Sequence, residues 1–309
     1  MFETARNDHG FSYARALAAS EKINWKVEDI IGGERRLDFS KPFMPESLAR
    51  TGALDFLDAE SRLKLNHIRA NGYLYTFGLV EEFILPFVLD HARPILSQDG
   101  VRTCALLRFA SEEAKHIHLF RTFEREFEGG FGTPCDMIGP ADEIGRAVLA
   151  HRPLSVALLI LQVEWMTQRH YLESIRDDRQ LDEQFKSLLR HHWMEEAQHA
   201  QLDTLMVEAI AAGCDAAEID RAVDGYLEIG GMLDAALKQQ AAFDLDALQR
   251  AARRSFEPSQ AERIVAVQHQ AMRWTYLGSG LSHPNFLATV RKLSPAAAAR
   301  LAAAAQAFF

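Results

Sequence analysis

Along this chain, apolar residues return every third or fourth position through long stretches, separated by short runs rich in Gly, Pro, Asp and Ser. Residues 56–92, 100–128, 153–178 and 182–213 are four such stretches, each well beyond the usual helix of about 11–12 residues, and they predict a four-helix bundle. Alternation at period two is scarce and no Asn-Gly or Asp-Gly step joins β-branched runs, so strands are not expected. Between the second and third stretch, EGGFGTPCDMIGPADE reads as a loop with room for a short helix at 141–150. After Gly213, the pairs Asp215/Glu218 and Ser259/Glu262 and the step Ser294-Pro295 resemble helix starts, which predicts three further helices. A short helix opens the chain, and Ile23 to Ala53 shows no period. The expected fold is all-α in a single domain: 1–55 a wrapping segment, 56–213 the bundle, 214–309 additional C-terminal helices. Pro86, inside the first long stretch, predicts a kink or a helix end nearby.

With 309 residues, 48% of them hydrophobic, the chain has the material for one large core or two modest ones. A net charge of −9 with both signs interspersed argues against broad phosphate binding and nucleic-acid partners. Cys104, Cys135 and Cys214 form no metal-type spacing and cannot all pair with one another, which fits a reducing compartment; the expected localisation is cytoplasmic. The first twenty residues lack the apolar core of an export signal. The longest apolar run, Leu154 to Val163, is roughly half of the ~20 residues that span a bilayer and ends in Glu164, so it predicts a buried helix and no membrane partner.

The chemistry lies in a repeat. Of twelve histidines only His116 and His199 follow a glutamate by three positions, and both phrases read Glu-Ala-x-His, 83 residues apart. The same shift carries Val80-Glu81 onto Val163-Glu164, so each Glu-x-x-His has a glutamate 32 residues earlier, on the preceding helix. Residues three apart on a helix share a face, and a returning helix brings the earlier glutamate level with them. Glu81, Glu113, His116, Glu164, Glu196 and His199 therefore converge inside the bundle. Their flanks are apolar, and acidic groups on apolar faces are costly unless paired or metal-bound. Four carboxylates and two imidazoles form the ligand set of ferritin-like di-iron and di-manganese bundles. Glu82, Glu112 and Glu195 are set aside as neighbours: the first breaks the register, and the other two are not three residues before a histidine. His118 and His170, off that register, are read as structural. His192, seven residues before His199, is a third nitrogen donor whose counterpart in the first half is Phe109.

With His192 included, the pattern resembles the non-haem diiron oxygenases typified by p-aminobenzoate N-oxygenase, whose last ligand helix reads His-x-x-acidic-Glu-x-x-His; here it is HWMEEAQH. The resemblance covers about residues 60–215. It implies two iron ions, Fe/Fe or Mn/Fe, and O2-dependent oxidation of an arylamine or related small molecule. It further implies Glu113 and Glu196 as bridging, catalytic carboxylates, Glu81 and Glu164 as terminal ligands, and His192 on the same metal as His199. The ribonucleotide reductase small subunit shares the six-ligand pattern but expects a tyrosine where Phe120 stands. No flavin or dinucleotide fingerprint is visible, so an external electron donor is expected. Asp203 is a candidate partner for His199, and Phe77, Phe109, Trp165 and Trp193 are candidates for pocket or plain core. Arg273, Trp274, Tyr276 and Arg291 are available to a substrate. The apolar C-terminal tail suits a homodimer interface or packing on its own chain. The rival function is metal handling, as ferroxidase or iron store, for which the nearly one hundred residues after Gly213 are superfluous.

Overall fold

The computed structural model describes residues 9–308. The start of the N-terminal stretch read for export signals and the last residue of the apolar tail lie outside the described residues. The helices are α1 (Tyr13–Ser20), the single turns α2 (Val27–Ile30) and α3 (Glu46–Ala49), α4 (Ala59–Ala92), α5 (Gly100–Phe131), α6 (Ala141–Leu149), α7 (Pro153–His170), α8 (Glu183–Ala211), α9 (Ala216–Ala252), α10 (Pro258–Arg273), the short α11 (Ser279–Leu281), α12 (Pro284–Leu293) and α13 (Pro295–Ala305). Among the described residues there is no strand; the one β-bridge joins Gly32 to Arg35. The molecule is all-α, as its periodicity predicts.

Local chemistry sets the ends of the long helices. Asp58, Asp99 and Asp182 accept hydrogen bonds from the backbone N–H groups of Ser61, Arg102 and Phe185 at 2.7, 3.0 and 2.6 Å, capping α4, α5 and α8. Such caps each contribute about 1 kcal/mol. Pro153 opens α7, where its missing N–H costs nothing. Asp215 and Glu218 form the reciprocal box that starts α9. The box of α10, however, is Glu257 with Gln260, two residues before the predicted Ser259/Glu262, because Pro258 takes the first helical position. Four longer helices follow α8 instead of three: Pro284, after a capping His283, starts a helix that the pattern did not separate.

Pro86 does not end α4, which runs on to Ala92. Phe83, Ile84, Phe87 and Val88 are buried on either side of it, each worth about 1.5–3 kcal/mol, and together they outweigh the ~3 kcal/mol an interior proline costs. The third long stretch, predicted to run helically to 178, instead leaves α-helical geometry after His170 and closes with a π-turn, Tyr171–Ile175. By length and composition Ala59–Ile95 passes for a bilayer span, with a mean hydropathy of 1.3 in its most apolar window, but 61% of that window is buried against other helices.

Antiparallel hairpins α4/α5 and α7/α8 make the bundle. Helices α6 and α9 lie against α4 and α7, whereas α1 lies against α5 and α8, and α12 closes on α7 and α8. Residues 23–53, read as irregular, contain the single turns α2 and α3 and are tied to the bundle. Asn66 accepts from the N–H groups of Phe43 and Met44 at 2.8 and 3.0 Å and donates to the Met44 carbonyl at 2.7 Å. Asp182 donates its N–H to the Pro42 carbonyl at 2.8 Å.

Candidate metal centre

All seven sequence-predicted donors are buried, at 3% exposure or less, and they come from all four bundle helices: Glu81 from α4, Glu113 and His116 from α5, Glu164 from α7, His192, Glu196 and His199 from α8. His116 directs Nδ1 at Glu196 Oε1, 3.0 Å away, with Glu81 Oε1 at 3.7 Å and Glu113 Oε2 at 3.8 Å. His199 directs its own Nδ1 at Glu113 Oε1 and Glu196 Oε2, both 3.0 Å away. His192 Nε2 stands 3.0 Å from Glu81 Oε1 and 2.8 Å from Glu196 Oε1. Two clusters of ligand atoms result, Glu81/His116/His192/Glu196 and Glu113/His116/Glu196/His199, each with its atoms within 4.8 Å of one another. Glu196 and His116 are common to both. Glu164 approaches from α7, within hydrogen-bonding reach of Glu196. His192 groups with Glu81 and His116, whereas the resemblance placed it on the side of His199.

Burial and crowding set the protonation of these groups. Burial first, and Glu113 second, push the Glu81 carboxyl up to about 8. Burial and the Glu196 charge hold Glu164 well above the usual carboxylate range. Burial also opposes ionisation of Glu196, but His199 and His192 overcome it and leave that carboxyl well below its ordinary value. For His116 and His199 desolvation is likewise outweighed by glutamates, and both imidazoles are held well above their usual range. These donors thus compete for protons, which a divalent cation displaces on binding.

Two glutamates set aside on sequence grounds complete the centre. His116 Nε2 donates to Glu195 Oε2 at 2.8 Å, and His199 Nε2 donates to Glu112 Oε2, also at 2.8 Å. Each imidazole is thereby fixed with Nδ1 facing the carboxylates, the orientation that a carboxylate behind a metal-binding histidine enforces. The arrangement is crosswise: Glu195 on α8 holds the histidine of α5, and Glu112 on α5 holds the histidine of α8. Behind them, Lys115 binds Glu195, and Gln198 Nε2 donates to Glu112 at 3.1 Å with Ser20 alongside. A signal was available, since Glu112/Glu195 and Lys115/Gln198 also stand 83 residues apart. One residue along a helix turns about 100° away, which takes these side chains off the ligand stripe and toward the neighbouring helix.

Asp203 is not the partner of His199. It is 1% exposed, neither carboxylate oxygen has a hydrogen-bond partner among the described residues, and burial raises its carboxyl well above the usual range. Glu82 lies toward the surface, accepting from Arg121 at 2.6 Å. His118 is exposed, while His170 is buried between the Tyr73 hydroxyl and Ser279 Oγ, each 2.9 Å away. Of the aromatic candidates, Phe109 packs its ring 4.2 Å from that of His199, Trp165 stacks on His283 and Trp193 on Tyr171; Phe77 and Tyr276 line an apolar cavity between the helices. Arg273 is engaged by Asp234 at 3.0 Å, and Arg291 is exposed.

Orphaned atoms test the fit to metal. Among the described residues, both oxygens of Glu113, one each of Glu81, Glu164 and Glu196, and Nδ1 of His116 are buried without a hydrogen bond of proper geometry, the 2.8–3.0 Å approaches between imidazole and carboxylate being misaligned for one. Buried polar atoms left in this state are costly, and here they converge on one point.

No protein-family model matches the chain, and no curated protein does. Solved structures that it resembles include R2-like ligand-binding oxidase variants. One, with an anaerobically reconstituted Mn/Fe cofactor, is 14% identical over 89% of this chain and 94% of that one, with a TM-score of 0.45. Another, with an aerobically reconstituted Fe/Fe cofactor, is 15% identical over 86% and 93%, with a TM-score of 0.42. Independently of that likeness, the four carboxylates match the charge of two divalent cations, the three imidazoles supply donors suited to iron or manganese, and the centre fits a dinuclear metal site.

Proposed function

We propose that this chain is an O2-dependent oxidoreductase that uses two metal ions, iron in both positions or manganese in one, to oxidise a small organic substrate. The observation that carries the reading is the convergence of seven buried donors, two of whose histidines, His116 and His199, are each fixed from behind by a carboxylate. When bound, the metal pair supplies reduction of O2. The protein's part is to hold the ions, orient Nδ1 of His116 and His199 and keep water out of an interior site. Insertion of one oxygen atom into substrate leaves the other as water, consuming two protons and two electrons from an external donor. N-oxygenation of an arylamine is the specific form that the sequence resemblance supports, and Glu113 and Glu196 would be among the residues that hold the metals.

The test is metal content followed by reaction with O2. Protein loaded anaerobically with ferrous iron is expected to hold about two irons per chain, as the donor set requires, and to give a transient visible absorption on mixing with O2. Metal-free protein that takes up no iron, or iron-loaded protein inert to O2, removes the oxidase reading. Progressive deposition of many irons per chain establishes metal handling in its place.

A further inference from the structure

An apolar chamber of about 280 Å³ lies on the side of the bundle where α6 and α9 cover α4 and α7. Phe77, Val80 and Val163 line it, and the same three residues line the small cavity whose remaining wall includes Glu81, Glu164, His192 and Glu196. The inner end of the chamber is therefore one layer of side chains from the metal donors. At the outer end stand Met232, an exposed apolar side chain of α9, and the exposed Glu143 of α6. No Lys, Arg or His among the described residues lines the chamber. Its ionisable groups are Glu143 and Tyr276, and the Tyr276 hydroxyl already donates to the Gly72 carbonyl at 3.4 Å.

We infer that this chamber is the substrate site and that its occupant is an uncharged, hydrocarbon-rich small molecule without a carboxylate, entering between α6 and α9 and presenting its reacting group past Val80 and Val163. The word substrate rests on the oxidase reading above; the ligand class rests on the chamber alone. A carboxylate placed there loses its water and gains no cation or free donor, and Glu143 repels it at the mouth. Apolar surface, by contrast, is matched on every side, as in small-molecule sites generally. A neutral arylamine satisfies this chemistry, whereas an aminobenzoate does not.

The experiment is an anaerobic equilibrium titration of the metal-loaded protein with the neutral fluorophore N-phenyl-1-naphthylamine, followed by displacement with 1-decanol or decanoate. Binding of one dye per chain is expected, with decanol displacing it at least about 10-fold more effectively than decanoate. Ala147→Trp and, separately, Leu233→Trp fill the chamber from α6 and α9 and are expected to weaken dye binding by about 10-fold or more with metal content unchanged. Decanoate binding as tightly as decanol, or dye binding indifferent to both tryptophans, overturns the proposal. Failure of the two readings is distinguishable. Parent protein inert to O2 that binds dye in the chamber loses the oxidase function and keeps the ligand class; protein that reacts with O2 and prefers decanoate does the reverse.

Discussion

The two halves of the metal centre are built from one pattern and finished differently. Each hairpin supplies Glu…Glu-Glu-Ala-x-His at an offset of 83 residues, and each sends its extra glutamate across to the other's histidine. Behind that glutamate the halves part. Glu195 is bound by the Lys115 ammonium, which sits 3.9 Å over the Trp25 ring, so the carboxylate behind His116 is charge-compensated. Glu112 is hydrogen-bonded by neutral Gln198 and Ser20, and its nearest cation, the half-exposed Arg108 guanidinium, stands off at 4.0 Å, so the carboxylate behind His199 is less fully compensated. Facing the site, Phe109 packs on His199 where the matching position, His192, adds a third nitrogen beside His116. One side is thus richer in nitrogen and weaker in compensating anion, and two chemically unequal metal positions follow from a symmetric plan.

The largest effect expected is from Glu113→Ala, which removes a carboxylate that no other residue replaces. Metal content should fall from about two per chain to one or none, with the metal-dependent rise in Tm abolished; calorimetry with and without ferrous iron checks it. Next come Glu195→Ala and Glu112→Ala, each expected to weaken metal binding about 10–100-fold. Double-mutant cycles on metal affinity sharpen the crossing: Glu195→Ala is expected to be non-additive with His116→Ala and additive with His199→Ala, and Glu112→Ala the reverse. The opposite pairing breaks the crosswise account. His192→Phe, which restores the repeat, should leave two metals bound but alter the spectrum of the iron-loaded protein, and an unchanged spectrum would place His192 outside the ligand set. Smaller still is Lys115→Met, which removes a cation from behind the site and should raise metal affinity by less than about 10-fold, with a salt dependence that Gln198→Ala lacks.

Away from the ligands the halves also diverge, as His170 shows where the register has Phe87. Burial and the Arg169 charge push His170 down to about 3. The unfolded chain protonates it near pH 6.5, so between that pH and about 3 the unfolded state binds the extra proton and stability falls as pH falls. From pH 6.5 to 5 the loss is about 2 kcal/mol. Urea unfolding at both pH values is expected to show a loss of unfolding free energy that is smaller by that amount in His170→Gln.

The four bundle helices were legible because their apolar period is long and their aspartate caps stand where the pattern begins: Asp58, Asp99 and Asp182 mark three of the four starts. The convergence of the seven donors was legible because a helix translates spacing directly into direction. Glu112 and Glu195 were discarded by that same logic, which asks what shares a face and not what reaches a neighbouring helix. Continuation of α4 through Pro86 and the π-turn after His170 depend on tertiary packing, which local sequence does not encode. The chamber was hidden for a related reason: its walls come from α4, α6, α7, α9 and Tyr276, and no window of sequence contains them together.

The crossed glutamates bear on how the protein assembles. Neither hairpin holds its own histidine, so α4/α5 alone would present His116 unanchored and α7/α8 alone would present His199 in the same state. High-affinity metal loading is then an all-or-none report that both hairpins have docked in register, and a half-built chain or a slipped pairing leaves the cell's metal pool untouched.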